Sequence, residues 1–323
     1  MTRRRRRILV RLLLATAAVL FALVLGELLC RYAWPTARFV EGREQPEWRE
    51  HSDFAKTWFE ADAEIGYVPK RGNEVYGPTG CKVNPYPPQK AEGVRRVLLI
   101  GDSVTYRARI ERAIRAKFGE SGIEYWNAGV DGYNTAQELA WFRRLSPEIR
   151  PDHVVLTLHV NDFEATPVVF HDEQDRMVLV VPSHAGVRIW PWLFEESALY
   201  RRLITILQSL HGTHDLEAGA QLVESSLTAL RDEVAARHAE FTVLIFPGMA
   251  PKTEWSAYEK DALERARTIC AKLAVRTFDL TPALEEALGK GLAVQETPGD
   301  HWHPNDAVSA CFAELLAREG FRP

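Results

Sequence analysis

From Val94 to the C-terminus the chain repeats one pattern, a short apolar run followed by a longer stretch of helical spacing. "VRRVLLIG" (94–101) is a β-type run that ends in Gly101-Asp102-Ser103, and Ile110, Ile114 and Phe118 then recur at every fourth position. That interval predicts one helix over Thr105 to Phe118. "IEYWNAG" follows, then a helix near 134–146, the strand "HVVLTLHV", and later "FTVLIFPG" with a helix near 255–273. "VRTFDL", a short helix and a last helix from about 304 to 318 complete the series. Strands that alternate with helices run mainly parallel and are covered on both faces, so the expected class is α/β with a mainly parallel sheet.

Two parts break the rhythm. Residues 163–195 contain "VVFHDEQDRMVLVV", a hairpin pattern turning at Glu173-Gln174-Asp175, followed by "IWPWLF"; they read as an insertion over one end of the sheet. Trp190, Trp192 and Phe194 suit core packing better than a lid or a sugar-stacking surface. Residues 196–238 read as two helices broken near His211-Gly212. Upstream, residues 35–92 are rich in Pro, Gly and charge, yet carry Trp48, Trp58, Phe59, Tyr67 and Tyr76. Aromatic residues are scarce in solvated linkers, so this segment is expected to wrap the main domain as an arm.

Arg3 to Arg7 form an unbroken basic run, and Ile8 to Trp34 are apolar except for Arg11, Glu27 and Arg31. A helix of that length crosses a hydrocarbon layer of roughly 30 Å. The arginines would stay cytoplasmic, which sends the remainder across the membrane. The expected layout is therefore a basic tail and anchor (1–34), the arm (35–92) and the main domain (93–323) on the extracytoplasmic side. A cleaved secretory signal is the competing reading, although no small-x-small cleavage site follows and Leu29 before Cys30 spoils a lipoprotein box. The net charge of −4 leaves the body without the basic surface of a nucleic-acid binder. Cys81, Cys270 and Cys311 allow at most one bridge in an exported domain, and no CxxC pair supports structural zinc.

Four short stretches carry chemistry. Ser103 leaves a strand and opens a helix, where backbone N–H groups favour developing negative charge; a plain N-cap serine would sit there too. "NAGVDGYNT" (127–135) ends the next strand, and Gly132 could aim its N–H at a reacting oxygen. In "HVND" (159–162) the Asn161 amide lies where open α/β sheets bind ligands and can donate to an oxyanion. "GDHWHPND" (299–306) supplies Asp300 and His303, three residues apart, so that the carboxylate can hold one ring nitrogen while the other faces the serine. His301 and His303 with Asp306 or His159 would be a metal alternative. His153 reads as structural, and Trp302 as packing beneath the turn.

These stretches, in this order, resemble the four blocks of the SGNH hydrolase superfamily, the GDSL-type esterases and lipases. The resemblance covers roughly residues 93–320 and implies a flavodoxin-like three-layer α/β/α sandwich. It implies Ser103 as nucleophile, Gly132 and Asn161 as oxyanion-hole donors beside the Ser103 N–H, and His303 as base supported by Asp300, with no metal or cofactor. Two positions depart from the pattern: His159 stands where the third block commonly has glycine, and "GDSVTYRAR" lacks the glycine usual soon after the first block. The expected activity is hydrolysis of acyl esters, O-acetyl among them, on an envelope carbohydrate or lipid. An O-acyltransferase using the same residues and a non-catalytic envelope binding module are the alternatives.

Overall fold

The structure, a computed structural model, describes residues 3–34, 58–62, 64–171, 177–180, 190–211 and 215–323. Helix α1 (Arg3–Leu28) continues through a π-helical turn at Leu29–Ala33. It is long and apolar enough to cross a membrane, and its most apolar window is not buried against the protein. An antiparallel pair, β1 (Phe59–Asp62) and β2 (Gly66–Pro69), opens the arm.

The series of alternating elements is β3 (Arg95–Ile100), α2 (Ser103–Tyr106), α3 (Arg109–Phe118), β4 (Ile123–Asn127), α4 (Thr135–Ile149) and β5 (His153–Leu158). A 3-10 turn at Val160–Phe163 leads into the antiparallel hairpin of β6 (Val168–His171) and β7 (Met177–Val180). The turn expected at Glu173-Gln174-Asp175 and the arm residue Trp48 lie outside the described residues. Then come α5 (Pro191–Glu196), α6 (Ala198–His211), α7 (Leu216–Ala236), β8 (Glu240–Ile245), α8 (Ala257–Lys272), β9 (Arg276–Asp279), α9 (Thr281–Gly289) and α10 (Asp306–Arg318).

The main sheet has the order β4-β3-β5-β8-β9, parallel throughout. This is the flavodoxin-like order, with the direction of winding reversing between β3 and β5. Right-handed crossovers put α3 on one face, where α10 packs against it, and α4, α7 and α8 on the other. The inner strands β3 and β5 are buried along nearly their whole length and four of the six residues in each are aliphatic, as a sheet covered on both faces requires. Each such aliphatic side chain contributes roughly 1.5–3 kcal/mol over exposure.

Residues 58–92 share this core: Phe59, Ile65, Tyr67, Tyr76 and Cys81 are buried within it. Arg96, inside β3, is fully enclosed. It pairs with Glu124 at 2.6 Å and donates to the carbonyls of Pro87, Pro88 and Ile149, which ties the arm to the sheet. The expectation for the aromatic cluster needs correcting, since Phe194 is buried while Trp190 and Trp192 are exposed. All four cysteines are free thiols.

Candidate active site

Three neighbouring strands, β4, β3 and β5, deliver the first three sequence blocks to the carboxyl edge of the sheet. At the end of β3, Asp102 turns the chain into α2 by accepting from the Val104 N–H at 2.9 Å. Ser103 is the first residue of that helix. The single helix expected over Thr105–Phe118 is in fact broken: α2 spans four residues, and Ala108 adopts the left-handed region (φ 58) before α3 begins. A helix so short adds little macrodipole, and its local N–H groups are what remain for a developing anion. The break occurs near where the family pattern usually has glycine, and alanine takes the glycine conformation instead.

Asn127, the last residue of β4, fastens the second block to the first. Its amide donates to the Thr105 carbonyl and to Glu111, both at 2.8 Å, and its oxygen accepts from the Gly129 N–H at 2.9 Å. Gly129 then passes so close to α2 that a Cβ there would stand 2.3 Å from the Tyr106 nitrogen. Gly132 needs its positive φ of 73. Tyr67 of the arm supports this loop by donating to the Asp131 carbonyl. Asn134 caps α4, accepting from Ala136 and Gln137, and Gln137 returns the bond to the Asn134 N–H.

In the third block, Asp162 accepts from the His159 N–H at 2.6 Å and from the Thr135 hydroxyl at 2.7 Å. Asn161 is held at both ends. Its nitrogen donates to the Tyr133 carbonyl at 3.0 Å, leaving a second amide hydrogen, and its oxygen lies 3.2 Å from His159 Nδ1. His159 Nδ1 is also 3.5 Å from Asp102. Burial works against charge on this ring, but the hydrogen bond to Asp102 and the charges of Asp102 and Asp162 outweigh it, and its pKa is raised.

The fourth block reaches the same edge because the Met249 N–H, just beyond β8, donates to the His301 carbonyl at 2.7 Å. Asp300 accepts from the Trp302 and His303 N–H groups and from His303 Nδ1, at 2.8 Å to the nearer oxygen. His303 Nε2 lies 2.9 Å from Ser103 Oγ. Burial alone would raise the Asp300 pKa; these hydrogen bonds overcome it and hold the carboxylate low. Trp302 corrects another expectation. It is partly exposed and stands edge-on to the His159 ring, with centroids 5.7 Å apart, instead of packing beneath the turn.

The structure thus joins Ser103, His303 and Asp300 in one hydrogen-bonded chain and sets Gly132 and Asn161 in the segments that follow β4 and β5, the strands on either side of β3. Glu296, Asp300 and His303 come within metal-ligand spacing, but Glu296 is held by Arg107 and Arg109 at 2.9 and 2.7 Å. Asp306 pairs with Arg109 and Arg112. His153 is buried against the Thr242 hydroxyl, and burial lowers its pKa to about 4.

A parallel sheet bearing these groups at its carboxyl edge belongs to the carboxylic ester hydrolases. Residues 99–310, which contain all four blocks, match the GDSL-like lipase/acylhydrolase family, and the chain belongs to that family. Among solved structures it is similar to Axe2, an acetylxylan esterase from Geobacillus stearothermophilus, with 17% identity, 72% of this chain and 98% of that one covered, and a TM-score of 0.47. It is also similar to LAE5, an alpha/beta hydrolase enzyme from the metagenome of Lake Arreo, Spain (17% identity, 70% and 95% covered, TM-score 0.46). The acetyl xylan esterase AlAXEase gives 15% identity, 70% and 99% covered, and a TM-score of 0.45. No curated protein matches the chain.

Proposed function

We propose that the protein is a serine esterase that removes short acyl groups, acetyl foremost, from an envelope carbohydrate or lipid by way of an acyl-enzyme on Ser103. The observation that carries this reading is the unbroken chain from Asp300 through His303 to Ser103 Oγ. As Oγ bonds to the ester carbon, His303 Nε2 takes the Ser103 proton, and Asp300 steadies the resulting imidazolium through Nδ1. The oxyanion is met by the N–H groups of Ser103 and Gly132 and by the Asn161 amide. Collapse breaks the bond to the leaving alcohol, which departs with the proton from His303. Water then attacks the acyl carbon, giving its proton to His303; cleavage of the Oγ–carbon bond returns that proton to Ser103 and frees the acid.

The envelope substrate follows from placing residues 8–34 across the membrane, residues 35–92 as an arm and residues 93–323 as the catalytic domain outside the cytoplasm.

The test uses purified full-length protein with aryl acetate, butyrate and octanoate and a serine-reactive phosphonate. Turnover highest on acetate, with label on the Ser103 peptide and neither signal in Ser103→Ala, is the expected result. Folded wild-type protein that shows neither turnover nor label would falsify the assignment. With an oligosaccharide acceptor present, free acetate is the expected product; acetyl-sugar alone would make the protein a transferase.

A further inference from the structure

The outer end of α1 is not a loose tether. The Glu27 carboxylate accepts from Ser197 Oγ at 2.8 Å and from the Ala198 and Leu199 N–H groups at 3.0 Å, filling the N-terminal cap of α6. Arg31 pairs with Glu27 at 2.8 Å and donates to the Glu196 carbonyl at 2.7 Å. One residue closer to the membrane centre, Gly26 lies under Leu199, where a Cβ would come within 3.3 Å of Leu199 Cδ2.

The level of this joint follows from length. At about 1.5 Å per residue, Ile8 to Gly26 spans roughly 28 Å, which nearly fills a hydrocarbon layer of roughly 30 Å. Glu27 therefore marks its outer boundary, and α6 starts there. Leu199, Leu203 and Ile206 share one face of α6 by their spacing of four and three. Leu199 is the member that touches the span, so the face carrying the other two looks toward the same medium. Trp190 caps α5 and Trp192 lies in its first turn, while Tyr32 and Trp34 stand five and seven residues beyond Glu27. All of these except Leu199 are at least 44% exposed. Exposed aromatic residues near the end of a span are what a membrane–water interface selects.

We propose that α5 and α6 lie in the headgroup layer of the membrane that α1 crosses, with Trp192 and Leu203 dipping toward the acyl chains of the phospholipid. The enzyme is then seated on the bilayer in one attitude by two contacts, the span and this interfacial pair. The proposal rests on reading residues 8–34 as a span.

Full-length protein reconstituted in phosphatidylethanolamine–phosphatidylglycerol vesicles containing a phosphatidylcholine with an acyl-chain diazirine separates the two readings. After illumination and peptide mapping, label is expected in residues 8–26 and in 190–207. Label in 8–26 with none in 190–207 overturns the proposal and leaves the span standing; label in neither overturns both. The double variant Trp192→Glu, Leu203→Glu is expected to lose at least about tenfold of the 190–207 label while the 8–26 label and aryl acetate turnover stay unchanged. Unchanged 190–207 label in that variant also overturns the proposal. So does a bifunctional reagent that joins two copies through 190–207, which would name a second copy of this chain as the occupant.

Discussion

His303 and His159 each lie three residues from an aspartate, Asp300 before one and Asp162 after the other, and both stand at the carboxyl edge of the sheet; they differ in access to water. The His303 side chain is 13% exposed and its partner Asp300 16%. His159 is 4% exposed, and beneath it Asp102, Asp162 and Glu138 are sealed from solvent. Burial raises the Asp162 pKa to about 7, with the Asp102 charge adding to it, and burial together with Asp162 raises that of Glu138 well above the carboxylate range. In the proposed mechanism the open histidine exchanges a proton with the substrate. The enclosed one is fixed in the scaffold, where its Nδ1 steadies the Asn161 amide. The same residue types thus become reagent or support according to solvent access.

The largest expected effect separates neighbours within the open block. His303→Ala lowers kcat by on the order of 10⁴ or more, whereas His301→Ala keeps most of it; equal losses in steady-state assays would move the base elsewhere. Next, Asn161→Ala costs on the order of a hundredfold in kcat with little change in KM. A third variant compares the two histidines directly: His159→Ala is expected to lower kcat roughly fivefold, the worth of about 1 kcal/mol of positioning. A loss as large as that of Asn161→Ala would mean that His159 itself meets the oxyanion.

The smallest effect lies in stability. Asp162 and Glu138 bind protons more tightly folded than unfolded, so both contribute at low pH; that of Asp162 is complete below about pH 4 and is lost as pH rises through about 7, and that of Glu138 is lost at a pH well above the carboxylate range. Asp300 has the opposite sign, stabilising above the ordinary carboxylate range and losing that contribution as pH falls below it. Glu138→Gln removes one member of the buried pair. Its Tm should exceed that of wild type by about 2–4 °C at pH 8, with no gain at pH 4 and unchanged kcat. A lower Tm at pH 8 would show that the ionised pair stabilises the fold.

Ser103, Asp300 and His303 were legible in the chain because each depends on local grammar: a strand end, a helix start, a spacing of three. The alternation of strands and helices gave the sheet for the same reason. What stayed hidden depends on contacts between distant segments. Nothing near Tyr67 announces that its hydroxyl supports the Gly132 loop, and Asn127 looks like a polar strand end until Thr105 and Glu111 are beside it. The break at Ala108 ran against propensity, since alanine is the best helix former and the close packing of α2 on Gly129 overrides it. Trp302 carried no directional signal, and its ring settles against His159, a residue distant in sequence.

The support that Tyr67 gives to the loop of Gly132 bears on how such an enzyme can change over generations. The four blocks look like a portable cassette, yet the residue that braces the second block arrives from ahead of the first. A recombination event that exchanged the sheet alone would deliver every motif and leave that loop unbraced. Arm and sheet therefore have to be inherited as one unit, and substitutions at Tyr67 are constrained by the loop it touches as much as by its own segment.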